Sequence, residues 1–364
     1  MKHSTLFKFF VSFSLLVLAS SACKPAPVTP ENTEMPEPTV PTVSEIATDI
    51  PQTATVPETV TLKLGYMSYI SNTVFMIAEE EGYFAEQGLD VELLPIKSGN
   101  ELIPLLLSGE LDVSAPSLNA AFFNAVTREG QVKIIMPLTD FQIKDCPTIA
   151  YMARKADVDA GRYLDKQEWK NANLVISMQA LTSVPGYVLG MTLAPSGLSV
   201  DDMLIANVDA PAHEEALRNG QVDIVYAIEP AITRMTAKGD IVVLDSAEQY
   251  APGLASSVIV VGPKVFNDPE VGNRFAIAYL KAVRQYLQGP TPRNVELAAE
   301  LTSLAPELVE RICWSDSSPD GILNLQSVMD YQNWLMERGL LDALVAPEDF
   351  YEPAFAEYAV AKDN

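Results

Sequence analysis

The 364-residue chain is poor in basic residues: 24 lysines and arginines stand against 48 aspartates and glutamates, and the formal net charge is −24. Because no cationic stripe is available to neutralise phosphates, nucleic acid and anionic lipid are disfavoured as partners. Histidine is scarce too, and the run His213-Glu-Glu-Ala-Leu217 lacks the second histidine of a zinc-protease helix. The chain has no G-x-S-x-G elbow, phosphate-cradling glycine loop or C-x-x-C pair. We therefore expect neither enzymatic activity nor a metal site.

Long apolar runs are also scarce. The run from Leu6 to Leu18 is too short and wrongly flanked for a membrane span. It starts among lysines and leads into Ala19-Ser-Ser-Ala-Cys23, so residues 1–22 fit a signal peptide with a small-residue cleavage site. We expect the mature protein outside the cytoplasm.

Cys23 directly follows small residues, a pattern that resembles the bacterial lipoprotein signal, in which this cysteine would take the lipid and anchor the protein to the membrane. Ser20 stands where that signal usually has leucine, so an ordinary secretory signal is the alternative. Residues 23–60 are rich in proline, threonine and glutamate without apolar periodicity. Such a segment cannot bury a core, and we predict a disordered tether.

Cysteine is rare, with Cys146 and Cys313 as the two residues beyond Cys23. If Cys23 takes lipid, these two are left in an oxidising compartment, where disulfides persist. Their spacing cannot show whether the Cα atoms come close enough. A disulfide and two buried thiols therefore both stay open.

One pattern occurs twice at an offset of 111 residues, from Gly109 to Gly220. Each copy has the end of a helix, a glycine suited to a left-handed cap, and a short buried strand that carries Asp112 or Asp223. Without a gap, the same offset relates further apolar segments: Leu62–Tyr66 to Asn173–Ser177, and Glu92–Pro95 to Met203–Ala206. We infer two lobes of one βαβαβ design.

This design predicts an α/β clamshell in which each lobe is a mainly parallel sheet flanked by helices. Lobe 1 should comprise residues 61–150 and 257–364, and lobe 2 residues 151–256. Two strands, at residues 148–154 and 257–262, should cross between the lobes as a hinge. Three helices follow the second crossing, at about residues 271–287, 295–305 and 323–338, and we expect them to cover lobe 1.

Several stretches together resemble a known family: Leu64-Gly-Tyr66, Ala78-Glu-Glu-Glu-Gly-Tyr-Phe-Ala-Glu-Gln-Gly-Leu-Asp-Val91, Leu107-Ser-Gly-Glu-Leu-Asp-Val113, Leu217-Arg-Asn-Gly-Gln-Val-Asp-Ile224, Glu229-Pro230, Asp320-Gly-Ile-Leu-Asn324 and Trp334-Leu-Met-Glu-Arg-Gly-Leu340. They are similar to the extracytoplasmic solute-binding proteins of ABC importers. The most similar branch handles sulfonates, taurine, nitrate and thiamine-pyrimidine precursors.

The resemblance implies a periplasmic-binding-protein-like clamshell, expected to be monomeric and without a cofactor, that closes on a small organic molecule or anion. It would hand the ligand to ABC permease subunits in the membrane. A clamshell sensor for signalling is the alternative. Synthases of the pyrimidine-precursor branch use a histidine and an iron-binding cysteine cluster, which this chain lacks.

Candidate ligand-binding residues lie in loops at strand ends, where parallel sheets bind ligands and helix N-termini present free N–H groups. Ser117 is also expected to cap the helix that follows it. The candidates, for which capping, surface or core roles are the alternatives, are Tyr69, Asn72, Ser117, Asn119, Phe141, Thr182, Ser183, Glu229 and Trp314. No arginine stands at these helix starts, which slightly weakens a sulfonate or nitrate ligand.

Overall fold

The computed structural model describes residues 58–178 and 180–362. The predicted signal peptide, the lipidation of Cys23 and nearly all of the predicted tether lie outside this range. Among the described residues, no helix is both long and apolar enough to cross a bilayer.

The strands form two separate five-stranded sheets, as the predicted clamshell requires. In chain order, the strands are β1 Val60–Tyr66, β2 Leu89–Pro95, β3 Val113–Ser114, β4 Lys133–Asp140, β5 Ile149–Arg154, β6 Val175–Met178, β7 Leu204–Asn207, β8 Ile224–Ile228, β9 Ile241–Ser246 and β10 Ala255–Val261. The sheet orders are β2-β1-β3-β10-β4 in lobe 1 and β7-β6-β8-β5-β9 in lobe 2. In each sheet one strand, β10 or β5, runs antiparallel to its two neighbours.

The two lobes repeat one another in strand pairing and in a carboxylate–amide hydrogen bond, whose amides, Lys63 and Val175, are 112 residues apart. Leu64 of β1 is aligned with Leu93, and 111 residues later Val175 of β6 is aligned with Leu204. The Asp112 carboxylate accepts a hydrogen bond from the Lys63 amide at 2.9 Å, and the Asp223 carboxylate accepts one from the Val175 amide at 3.0 Å. The repeated aspartate therefore satisfies a strand amide in each lobe.

Helices cover the sheets, whose inner strands are apolar because both faces are buried. The helices are α1 Thr73–Glu80, α2 Tyr83–Glu86, α3 Gly99–Leu107, α4 Ala120–Glu129, α5 Lys155–Asp159, α6 Lys166–Asn171, α7 Val184–Leu193, α8 His213–Arg218, α9 Ala231–Thr236, α10 Pro263–Phe266, α11 Pro269–Tyr286, α12 Pro292–Thr302, α13 Pro306–Val309, α14 Leu325–Glu337, α15 Pro347–Phe350 and α16 Ala354–Lys362.

Helix α11 covers lobe 1, as the sequence predicts. Asp268 caps its first turn by accepting hydrogen bonds from the amides of Glu270 and Val271. Its buried face places the ring of Tyr279 at 6.2 Å from the ring of Phe75 on α1. Helix α12 contacts α1 as well.

Helix α14 does not follow the prediction that it covers lobe 1. Its Tyr331 ring lies 5.5 Å from that of Tyr187 on α7 of lobe 2 and 6.2 Å from that of Phe123 on α4 of lobe 1. The Tyr331 hydroxyl also contacts one backbone carbonyl from each lobe, at Leu118 and Thr182. The helix therefore lies across both lobes, because its apolar periodicity specifies a buried face and not the lobe that buries it.

The two strands predicted to cross between the lobes lie within the sheets, β5 in lobe 2 and β10 in lobe 1. The chain crosses in the segments that precede them, residues 141–148 and 247–254. Of the two alternatives for the cysteines, the structure has the disulfide. Cys146 in the first crossing segment is bonded to Cys313, and their Cα atoms are 5.7 Å apart. The bond attaches this segment to the loop that follows α13.

Candidate ligand-binding cavity

A cavity of about 70 Å³ lies between the lobes. Lobe 1 contributes loops that follow β1 and β3 and the ends of β4 and β10, and lobe 2 contributes the start of α7 and the end of β8. Carboxyl ends of parallel strands are the usual ligand-binding edge of an α/β sheet. The duplicated fold thus brings two such edges to one cavity.

Hydroxyl groups are frequent among the residues that line the cavity, whose exposed surface is otherwise mostly apolar. Seven serine and threonine residues and two tyrosines line it. Thr139 Oγ1 lies 2.7 Å from Ser256 Oγ and also contacts Ser257 Oγ. Ser117 Oγ donates to the Ser256 carbonyl at 3.1 Å. Hydroxyls both donate and accept, so this wall suits a polar solute.

Asp140, at the end of β4, is the ionisable carboxyl group that lines the cavity. Burial and the nearby carboxylates of Asp316 and Asp320 raise its pKa to about 7. Its Oδ1 atom is buried and, within the described part of the chain, has no hydrogen-bond partner. An unsatisfied buried acceptor costs free energy, which a donor on a ligand would recover.

Four predicted site residues, Tyr69, Asn72, Ser117 and Phe141, line the cavity. Asn72 is 2% exposed, and its amide oxygen has no hydrogen-bond partner among the described residues. Phe141 is buried at the start of the first crossing segment. A ligand contact by any of the four stays a prediction.

Asn119, Thr182 and Ser183 lie instead in a direct contact between the lobes, away from the cavity lining. Asn119 and Ser183 face each other in an antiparallel bridge. On either side of it, the Ala120 amide donates to the Thr182 carbonyl at 2.9 Å and the Val184 amide donates to the Leu118 carbonyl at 3.0 Å. These residues join the lobes.

The predicted N-cap was wrong, because Asn119, not Ser117, caps α4 by accepting a hydrogen bond from the Phe122 amide at 2.9 Å. The expectation of free N–H groups also fails at α7. The Val184 amide is bonded to lobe 1, Pro185 has no N–H, and the amides of Gly186 and Tyr187 donate to the Ser183 carbonyl. The start of α7 therefore lines the cavity with little capacity to donate.

Glu229 and Trp314, also predicted, do not line the cavity either. Glu229 is 2% exposed, and its carboxylate accepts from the Thr233 amide at 3.0 Å, the Thr233 hydroxyl at 2.8 Å and the Cys313 amide at 3.4 Å. The Trp314 ring packs against Tyr286, with the centroids 5.1 Å apart. Glu229 thus satisfies neighbouring donors, and Trp314 belongs to the core of lobe 1.

Metal ligands are not clustered here: among the described residues, no group of three or more His, Cys, Asp or Glu is arranged to hold a metal ion.

Comparison with known proteins agrees with this geometry. A sequence model of the NMT1-like family matches residues 55–302, more than half of the chain. The chain belongs to the NMT1-like family. No curated protein sequence matches it.

Solved structures share the fold of this NMT1-like protein at low identity. The ligand-binding component of an ABC-type import system from Staphylococcus aureus is 14% identical, with a TM-score of 0.69 over 82% of this chain and 98% of that one. The nitrate-binding protein NrtA from Synechocystis is 14% identical, with a TM-score of 0.66 over 84% and 89%. The alkanesulfonate-binding protein SsuA from Xanthomonas axonopodis, bound to MOPS, is 16% identical, with a TM-score of 0.65 over 81% and 99%. The periplasmic-binding-protein fold is thereby shown.

Sequence reasoning missed Thr139, Asp140, Ser256 and Ser257. Thr139 and Ser256 are 117 positions apart and meet because β10 pairs with β4. The sequence did contain one signal for them. Thr139 and Asp140 are polar residues at the end of an apolar strand, which is the kind of position where candidate ligand contacts are expected. Ser256 and Ser257 could be placed beside Thr139 and Asp140 only by predicting that β10 pairs antiparallel with β4.

The stability of the NMT1-like protein should depend on pH through Asp140 and Glu229. Burial, the leading cause for both, raises each pKa to about 7. A carboxyl with a raised folded-state pKa stabilises the fold at pH below its unfolded value near 4, and that contribution is lost as pH rises to about 7. Since a tenfold change in proton affinity equals about 1.4 kcal/mol, we expect a loss of roughly 2–4 kcal/mol for each group.

Urea unfolding of wild type and Asp140→Asn between about pH 5 and pH 8 measures this dependence. Buried His213 has a lowered pKa and acts in the opposite direction, so the difference between the two proteins is the informative quantity. The variant should gain stability relative to wild type as pH rises. Parallel pH curves would show that Asp140 titrates normally.

Proposed function

We propose that this protein is the extracytoplasmic solute-binding component of an ABC importer. It captures a small polar molecule between its lobes and presents it to permease subunits in the membrane. The observation that carries the proposal is the cavity between two lobes of duplicated design, which is lined by several hydroxyl groups and one carboxyl group. A ligand that contacts both lobes favours the closed arrangement by the contacts made only there.

The comparisons support this assignment. The solved proteins of the same fold include a component of an ABC-type import system, a nitrate-binding protein and an alkanesulfonate-binding protein. The Cys146–Cys313 disulfide is in keeping with an oxidising compartment outside the cytoplasm. Anchoring through a lipid on Cys23 completes the proposal and rests on the sequence pattern at the start of the chain.

A binding role is favoured over catalysis by the composition of the cavity. Within the described part of the chain, its lining contains no cysteine, and no histidine or lysine that could act as general base for one of its serine or threonine hydroxyls. Thr139 bonds to both Ser256 and Ser257, and among the described residues none of these three hydroxyls is bonded to a basic side chain. Asp140 alone does not make a catalytic pair.

The proposal is tested by blocking the cavity with Ser117→Phe. The Ser256 carbonyl, which accepts from Ser117 Oγ, also accepts from the Leu118 amide at 3.2 Å, so the substitution leaves no unpaired carbonyl. We expect a ring at this position to fill the cavity and weaken solute binding by about a hundredfold or more. Ser117→Ala is the matched control and should bind nearly normally.

A thermal-shift screen of small polar solutes, followed by calorimetry on the hits, is the measurement. A solute at a hundred times its Kd stabilises the native state by about 2.7 kcal/mol. At least one solute should raise the melting temperature of wild type and of Ser117→Ala but not of Ser117→Phe. A solute that stabilises all three proteins equally would bind elsewhere and would count against this cavity as the binding site.

A further inference from the structure

The cavity is unusual for a site that would hold an anion, because its charges have the wrong sign. Among the residues that the structure describes, no lysine, arginine or histidine lines it, whereas Asp140 does. Asp316 and Asp320 lie close enough to Asp140 to disfavour its charged form. The nearby cation Lys144 is already paired with Asp316 at 2.6 Å. The ionisable side chains at and around the cavity are therefore mainly acidic.

The starts of α4 and α7 do not supply the missing positive charge. Backbone N–H groups at a helix start can bind an anion without any cationic side chain. At the start of α7, those of Val184, Gly186 and Tyr187 are already donated to carbonyls. At the start of α4, the amides of Ala120 and Phe122 are bonded to Thr182 and Asn119.

The second observation is that two hydrogen-bond acceptors at the cavity have no donor. Oδ1 of Asp140 and the amide oxygen of Asn72 are both buried and unpartnered in the described structure, and both residues line the cavity. Asn72 is almost completely buried, so bulk water does not solvate this atom. Each unpaired acceptor costs free energy, because it has lost its water without gaining a donor. A ligand that donates hydrogen bonds recovers that free energy, and an anion does not.

We propose that the solute is a small protonated amine or amidine, and that Asp140 determines this preference. The inference rests on the proposed solute-binding function and specifies its ligand class. The ammonium or amidinium group donates to the Asp140 carboxylate, and the hydroxyls of Thr139 and Ser257 contact the uncharged part of the ligand. This chain would then bind a cation with the same fold that nitrate-binding and alkanesulfonate-binding proteins use.

Ligand affinity should also depend on pH, because burial and the neighbouring Asp316 and Asp320 raise the pKa of Asp140 to about 7. The other groups that face it are Lys144, which is paired with Asp316, and the phenol of Tyr279, whose pKa is raised. A cation binds the charged carboxylate, so binding should weaken as the pH falls through 7. We expect about a tenfold lower affinity at pH 6 than at pH 8.

The test compares two sets of probes on the purified full chain at equal ionic strength. One set is ethylammonium, ethanolammonium and acetamidinium chloride, and the other is sodium nitrate, methanesulfonate and formate. Thermal shift and calorimetry are run on wild type, Asp140→Asn and Asp320→Asn. Asp320 lies near Asp140 without lining the cavity and bonds within its own turn. Asp320→Asn removes a neighbouring carboxylate that disfavours the charged form of Asp140, so this variant should bind the cation at least as tightly as wild type.

The expected result is that a cationic probe stabilises wild type and Asp320→Asn, and that Asp140→Asn binds it roughly ten- to a hundredfold more weakly. Binding of an anion that improves in Asp140→Asn would overturn the inference and leave the solute-binding function intact. Equal binding of the cationic probe by Asp140→Asn would remove Asp140 as the determinant. Failure of all the cationic probes would also overturn the inference, and the solute-binding function would still be decided by the screen with Ser117→Phe.

Discussion

Replacing Cys146 and Cys313 with serine is expected to lower the free energy of unfolding by about 3–5 kcal/mol. The disulfide joins residues 167 positions apart, and the chain between them contains the whole sheet of lobe 2. Closing so long a loop removes much conformational entropy from the unfolded chain, so its loss should be among the most costly single changes. Chemical denaturation of the double variant measures the effect.

Reduced wild-type protein is the matched control and should unfold at the same denaturant concentration as the double variant. Ligand affinity should fall as well, because Thr148 and Ser315 line the cavity and each lies two residues from one of the cysteines. A stability loss below about 1 kcal/mol would contradict the prediction. It would show that the crossing segment is held in place without the bond.

Gly186→Ala is expected to destabilise the protein by about 3 kcal/mol or more and to disrupt the lobe 2 wall of the cavity. A Cβ atom at Gly186 would overlap the Leu181 carbonyl oxygen and lie 2.7 Å from Leu181 Cα. These are backbone atoms, so the turn from Leu181 to Val184 would have to move. That turn carries the hydrogen bonds at Thr182 and Val184 that join the lobes.

Gly99→Ala is the matched control, because Gly99 also lines the cavity and begins α3. A Cβ atom there would meet Met67 Sδ at 3.6 Å, an ordinary van der Waals contact. Alanine also favours the helix, so this variant should be neutral or slightly more stable. Thermal and urea unfolding of both variants measures the contrast. Similar stabilities would refute the close approach at Gly186.

The architecture was largely predictable from the sequence, and the cavity only in part. The 111-residue repeat led to two lobes of one topology, and the register at Leu64 and Val175 follows it. Local rules placed Tyr69, Asn72, Ser117 and Phe141 at strand ends, where the cavity lies. They could not show that Asn119 and Ser183 would meet each other.

Local patterns alone therefore determined the two-lobed design and its duplication, because apolar periodicity, glycine caps and the repeated aspartate act within one lobe. Tertiary structure decided the placement of α14, the disulfide and the charge of the cavity. Asp140 and Ser256 come together through the antiparallel insertion of β10, and the amides at α7 are used by contacts across the lobes. Pairing between segments more than a hundred residues apart depends on how the lobes pack, and periodicity within a segment carries no information about that packing.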